Sequence, residues 1–393
     1  MNLKKTLVAA AVAAVVVAPA ASYASATMYG AIELGLQQTG KKADNGKSST
    51  DYFDNGSRIG FKGNNDLGNG LTGIYQLELG VDAFNGNTTT TGPYAESKGQ
   101  LKTRLGYMGV KGSYGTVLAG RMHGVFYNFI EGPTDTQNVL AGPLNPIGFA
   151  DQVGGILNTN SITDMSGVTK TQLASAISGS GDSLGGYNSR VNAVAYVTPD
   201  WSGFTGGVAY ADIGTYHDAS GTSGQNGKQQ GVYQIGGKYT FGPAYVGAAY
   251  MGIPQNNVRY GFMQNVWGLS GGYNFGMFAV DANYQQGKPR TSGPLALPGD
   301  NNNKSIQAAT IQGSMSMGAL YAYVQYSQMK WKYLSNKTAQ RTTAGVFYNI
   351  AKPLQVTFEV ASNNKYVSGM MLNPANNTNK SYTTFAVGAN YFF

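Results

Sequence analysis

In residues 71–81, "LTGIYQLELGV", Leu71, Tyr75, Leu77, Leu79 and Val81 fall on one parity, and Thr72, Gln76 and Glu78 fall on the other. Successive strand residues point to opposite faces, so this period of two predicts a strand with one apolar and one polar side. In "SRIGFKG", Ile59 and Phe61 oppose Arg58, Gly60 and Lys62. In "SRVNAVAYVTP", Val191, Ala193, Ala195 and Val197 oppose Arg190 and Asn192. The chain also ends this way: in "TTFAVGANYFF", Phe385, Val387, Ala389, Tyr391 and Phe393 share a face opposite Thr384, Ala386, Gly388 and Asn390. The alternation blurs in "YAYVQYSQ" (321–328), where both faces mix Tyr, Gln and aliphatics.

Such segments run for about ten residues each, the length of a tilted membrane strand. Tight turns punctuate them at "NDLGNG", "KGSYG", "TPDWSG", "TFGP", "NFGM", "SMGA" and "NIAKP". Between these turns lie polar loops near 38–54, 85–99, 122–186, 214–228, 253–260, 288–303, 332–339 and 367–379. Eight long loops alternating with seven short turns require sixteen strands and leave both chain ends on the short-turn side. That asymmetry is the one found in bacterial outer-membrane barrels, and even-numbered closure removes exposed sheet edges. The expected fold is all-β: a sixteen-stranded antiparallel transmembrane β-barrel, apolar toward lipid and wide enough to hold water inside. The terminal aromatics are then expected on the lipid side, near the inner interfacial girdle.

Composition supports this picture. Only 12% of residues are charged, about half the share of a soluble domain, and the chain has 56 Gly and 27 Tyr. A mean hydropathy of −0.23 is too polar for a bundle of membrane helices. At the start, "MNLKK", the apolar "TLVAAAVAAVVVAPA" and Ala24-Ser25-Ala26 have the layout of a secretory signal over 1–26, with the mature barrel domain at 27–393. Losing Lys4 and Lys5 takes the formal charge from +8 to +6 (8 − 2), because the segment holds no acid. No other stretch reaches the roughly 18 apolar residues of a spanning helix, so entry into a membrane requires a closed barrel. The basic residues are scattered, with no long basic run or recognition helix, which argues against nucleic acid as a partner. Cys is absent, excluding disulfides and thiolate metal sites. The two histidines, His123 and His217, sit in no nucleophile motif and are too few for a three-His metal site. Neither an enzyme nor a metal or other cofactor is expected.

The segments "TMYGAIELGL", "SRIGFKGNNDLGNGLTGIYQLE", "KTRLGYMGVKGSYGTVLAGR" and "FAVGANYFF" resemble those of Gram-negative general porins of the beta-proteobacterial kind. The resemblance spreads over nearly the whole mature chain, although the loops match poorly. It implies an outer-membrane homotrimer whose third loop folds inward to narrow each barrel. It also implies passive diffusion of small hydrophilic solutes and ions through the lumen. The terminal Phe393, with Tyr391, resembles the family's signal for the barrel insertion machinery.

Carried over by motif, Arg58 in "SRIGF", Lys102 and Arg104 in "KTRLG" and Arg190 in "YNSRVNAVAY" resemble the family's basic pore wall. Their parity places each opposite the apolar face of its local strand. Asp135, with Glu131 nearby, takes the acidic third-loop position in "GRMHGVFYNFIEGPTD". Glu78 and Arg121 are further lumen candidates, Arg121 as a brace for the third loop. The chain departs from the family where "TQNVLAGP" follows Asp135 without a second carboxylate, and where Asn65 stands before Asp66-Leu67-Gly68. Four basic candidates against one clear acid, with a mature charge of +6, point to anion preference. A substrate-selective channel and a non-conducting adhesive barrel are the competing readings, the first because 122–186 contains a long insertion unlike the family pattern.

Overall fold

The computed structural model describes residues 26–40, 48–81, 83–84, 101–136, 190–215, 229–254, 263–289, 305–332, 338–364 and 381–393. The signal segment, apart from Ala26, and the insertion beyond residue 136 lie outside them, as does His217. The first half of the chain forms β1 (Thr27–Thr39), β2 (Ser49–Asp54), β3 (Arg58–Gly68), β4 (Leu71–Gly80), β5 (Lys102–Gly112), β6 (Gly115–Met122), β7 (Val191–Val197) and β8 (Phe204–Thr215). The second half forms β9 (Gln229–Phe241), β10 (Ala244–Gly252), β11 (Met263–Asn274), β12 (Phe278–Pro289) and β13 (Ile306–Met317). It ends with β14 (Leu320–Trp331), β15 (Thr338–Ala351), β16 (Leu354–Asn363) and β17 (Tyr382–Phe392).

These seventeen described strands make one sheet of antiparallel neighbours, closed where β17 returns to β1 in the register Ala31↔Phe392 to Thr39↔Thr384. β2 and β3 both pair with β1, β2 along Leu34–Thr39 and β3 along Thr27–Ala31. They are two halves of one wall strand, interrupted at 55–57, so the barrel has sixteen walls (17 − 1), as the turn count predicts. Asp54 fills the break: its Oδ1 accepts the amides of Gly56 at 2.8 Å and Ser57 at 2.7 Å. Closure leaves each of the sixteen walls with a neighbour on both sides, the condition for backbone in lipid.

The outer face is apolar. Ile235, Val246, Leu269, Ile311, Val324 and Phe358 are each more than half exposed. Aromatics flank this band: Trp201, Phe241, Phe275, Tyr348 and Phe393 toward the short turns, and Tyr233, Trp267 and Tyr284 toward the long loops. This is the girdle pattern of a membrane barrel. Phe393 completes the seam. Its backbone exchanges hydrogen bonds with Gly30 (2.8 and 3.1 Å), and its ring lies where a side chain on Gly30 would stand.

The opposite parity is polar and largely covered on β9–β14, where Gln234, Ser270, Asn283, Gln285, Gln312 and Gln325 are buried. What covers it is the segment after β6, a π-helical turn Tyr127–Glu131 followed by a 3-10 turn Gly132–Thr134. Gln234 accepts the amide of Phe126 at 3.0 Å, Ser270 donates to the Phe129 carbonyl at 2.5 Å, and Gln325 donates to the Thr134 carbonyl at 2.6 Å. Asn283 and Gln312 bind the hydroxyls of Thr134 and Thr136 at 2.6 and 2.7 Å. The wall beneath is glycine: a Cβ on Gly236 would stand 3.0 Å from the Phe129 ring, and one on Gly268 would stand 2.8 Å from Ile130. Phe126 and Ile130 are fully buried there.

This seat corrects the parity reading of β7. Val191, Ala193 and Ala195 are buried, with Ala193 and Ala195 in register with the buried Ala211 and Ala209 of β8; Asn192 and Val194 are exposed. The strand's apolar face therefore points to the side that the segment covers. Parity from β7 would send Arg190 outward, and only its place in the bend before the strand spares it.

Candidate functional site

On the walls β1 and β3–β5, four charged side chains interlock. Arg58 Nη1 donates to Glu33 Oε1 at 2.8 Å, and its Nε lies 4.0 Å from Glu78 Oε2. Arg104 Nε donates to Glu78 Oε1 at 2.7 Å. Tyr29 donates to Glu78 at 3.0 Å and accepts from Gln76 at 2.5 Å, and Gln76 accepts from Tyr107 at 2.7 Å. All but Arg104 lie on the polar parity of their strands.

Two backbone irregularities aim the arginines. Arg58 follows the break at 55–57 and also donates to the Gly56 carbonyl at 3.1 Å. Arg104 is the extra residue of a β-bulge: Glu78 pairs with Leu105 and Leu79 with Thr103, leaving Arg104 unpaired. Simple alternation from Met108, which is 67% exposed on the outer face, would have turned Arg104 toward lipid. A bulge re-aims a side chain in this way. The expected face is thus reached by a different cause. Lys102 stands at the mouth of β5, in register with Gly80 on the Glu78 parity.

In the segment after β6, Tyr127 donates to Asp135 Oδ2 at 2.7 Å. Burial pushes the Asp135 carboxyl above its usual range, opposed by the Tyr127 hydrogen bond and the positive charge of Arg190. Arg190 is pushed down to about 10 by burial and then by Arg104, and it also feels Glu78, Arg121 and Tyr127. It remains charged at neutral pH, and its Nε lacks a hydrogen-bond partner. Arg190 thus sits electrostatically between the ladder and the Tyr127–Asp135 pair.

Two expected lumen residues are placed otherwise. Glu131 is 2% exposed within the turn against the wall. Arg121 is in register with Gly106 and Asn192, on the Met108 side, and its Nε donates to the Thr103 carbonyl at 3.0 Å; it ties β6 to β5 at the rim. Glu33, absent from the sequence expectation, is the carboxylate that binds Arg58. Its signal was present: Glu33 is the charged residue opposite Ile32, Leu34 and Leu36 in "AIELGL".

A closed antiparallel barrel with a lipid-type exterior and a charged, hydrogen-bonded interior defines an outer-membrane β-barrel of the porin class. A family model described as Gram-negative porin matches residues 6–366, and the chain belongs to that family. It is therefore a protein of the Gram-negative outer membrane, crossing it many times as strands. It is 30% identical over 265 residues to the major outer membrane protein P.IB of Neisseria gonorrhoeae, a match covering 66% of this chain and 58% of that relative's length. Among solved structures, the anion-selective porin from Comamonas acidovorans superposes with a TM-score of 0.61 at 18% identity, covering 94% of this chain and all of the other. The trimer form of OmpT from Vibrio cholerae gives 0.54 at 15% identity, covering 95% of this chain and all of the other.

Proposed function

We propose that the chain forms a water-filled channel for passive diffusion of small hydrophilic solutes and ions, and that it works as a channel, not as an enzyme. The observation that carries this reading is the placement of two polar assemblies on far-apart walls of one barrel. The Arg58–Glu33 and Arg104–Glu78 ladder lines β1–β5, and the third-loop segment 125–136 is hydrogen-bonded to β9–β14. The loop segment folds inward on this reading and narrows the lumen between them. Polar walls replace the hydrogen bonds that a solute gives up on leaving water, whereas the bilayer core offers none. Opposed charges set a transverse field that orients dipolar solutes, and they act more strongly where the water column is thin.

The channel prefers anions, weakly. Arg58, Lys102, Arg104 and Arg190 carry four positive charges, and Glu33, Glu78 and Asp135 carry three negative ones, so the local excess is one (4 − 3). The anion selectivity named for the Comamonas protein agrees in sign. The functional unit is a homotrimer, by likeness to the OmpT trimer form. Residues 1–26 direct export and are removed, so intact-mass measurement should start the mature chain at Thr27. Phe393 and Tyr391 present the assembly signal to the insertion machinery. Single-channel recording in planar bilayers tests the central claim: purified folded protein conducts, with a reversal potential displaced toward chloride in a tenfold salt gradient. Silence from folded protein would favour the adhesive barrel.

A further inference from the structure

On the outer face of β12–β16 the register stacks side chains in rows. At mid-height, Gly313 and Ala344 lie in a row with Val280 and Val324, and Ala322 lies in the next row toward the short turns. These small residues floor an apolar groove of about 520 Å³, walled by Phe278, Met315 and Phe358. A Cβ on Gly313 would meet nothing within 4 Å, so the hollow is open. Six residues toward the long loops, or about 20 Å along a strand, the face changes character. There Gln286, Gln307, Lys330 and Thr338 form one continuous row, with Lys288 beyond it. Gln307 donates to Gln286 at 3.2 Å, as does Tyr284 at 3.1 Å, and Gln340 donates to Tyr326 at 2.9 Å. Among the described outward residues of β12–β16 there is no carboxylate.

We propose that this face is a binding site for a phosphate-bearing glycolipid of the outer leaflet. One acyl chain lies in the groove, the amides and phenols bind sugar hydroxyls, and Lys330 and Lys288 bind phosphate. Three observations converge on that occupant. The groove has the volume of a small-molecule site, where a plain lipid-facing strand pair would be convex. The polar row begins about one acyl length above it, on the side of the long loops. And the row is cationic with no acid to neutralise it, the charge complement of a phosphorylated headgroup.

The test uses the full mature protein in detergent, titrated by native mass spectrometry with bisphosphorylated lipid A, the same lipid dephosphorylated, and inorganic phosphate. The expected result is one lipid A bound per barrel at this face, with weaker binding of the dephosphorylated form and none of free phosphate. Gly313→Leu, which fills the groove, should abolish that binding event, and Lys330→Glu should weaken it about tenfold. Val208→Leu, on the outer face of β8, should leave it unchanged. Heat-modifiable mobility on gels confirms that each variant is folded. Equal retention of both lipids, or wild-type binding by the folded Gly313→Leu and Lys330→Glu variants, would overturn the proposal. Because the chain has no cysteine, Ala322→Cys gives one further arm: an efficient disulfide between copies would assign this face to the protomer contact instead of to lipid.

Discussion

Glu78 holds two arginines and a tyrosine at once, and its loss separates charge from architecture. Glu78→Gln keeps the shape but removes one negative charge, so anion preference should rise, read as a larger chloride-ward reversal potential. Arg104 would lose a charge-assisted bond, costing about 1–3 kcal/mol of stability, measurable as a lower urea midpoint. Arg58→Ser with Arg104→Ser does the reverse: Glu33 and Glu78 are left facing water, and preference should move toward cations. Arg104→Ser alone should move it part of the way, and unchanged reversal potentials in folded protein would remove the ladder from the permeation path. Asp135 adds a pH dependence whose sign follows from burial. Its carboxyl titrates above the ordinary carboxylate range, so on acidification it becomes neutral while the arginines stay charged. Anion preference should therefore grow as pH falls through that raised value, and Asp135→Asn should start at the higher preference and flatten the response.

At the scale of elements, the glycine wall of β8–β11 and the turn it receives are mutually dependent. Gly268→Leu would drive a side chain into Phe126 and Ile130, an overpacking that costs about 1–3 kcal/mol if the turn stays seated. Unseating is the cheaper response in a water-filled lumen, so a wider, noisier conductance is expected, and unaltered conductance would mean that the segment does not narrow the pore. Phe393 closes the seam in a similar way. A charge near the interface costs only about 0–1 kcal/mol, so Phe393→Asp should act chiefly through the lost ring on Gly30 and the lost assembly signal. Lower yield of heat-modifiable barrel in the outer membrane, with export intact, is the expected result. These elements also show what the chain made legible. Period-two alternation and turn spacing were enough for the sixteen walls, because lipid outside and water inside impose that pattern on most strands. Alternation misplaced the face of β7 because its inner side is apolar and buried, beside the β8 wall that the folded segment meets at Gly207. It reached Arg104 only through a bulge, which shifts register by one residue and leaves no mark in residue type. The surroundings of Glu131 and Arg121 were not legible, because charge alone does not show what a side chain packs against, whereas Glu33 was readable from its strand.

For the whole molecule, closure of the sheet and the trimer proposed above predict recordings in which one insertion event closes in three comparable steps, with crosslinking giving a matching ladder. Single steps from a protein that crosslinks only as monomers would make the single barrel the working unit. The anchoring of the third-loop segment has a separate bearing on which changes the channel tolerates. Among the described residues, its hydrogen bonds to the wall run from Phe126 on Gln234 to Thr136 on Gln312. On the channel reading proposed above, the narrowing then rests on residues 125–136 keeping these wall partners. Exchanging 145–182, within the insertion that departs from the family pattern, for an unrelated sequence of equal length should leave conductance and ion preference as they were, and a changed conductance would put that insertion in the permeation path.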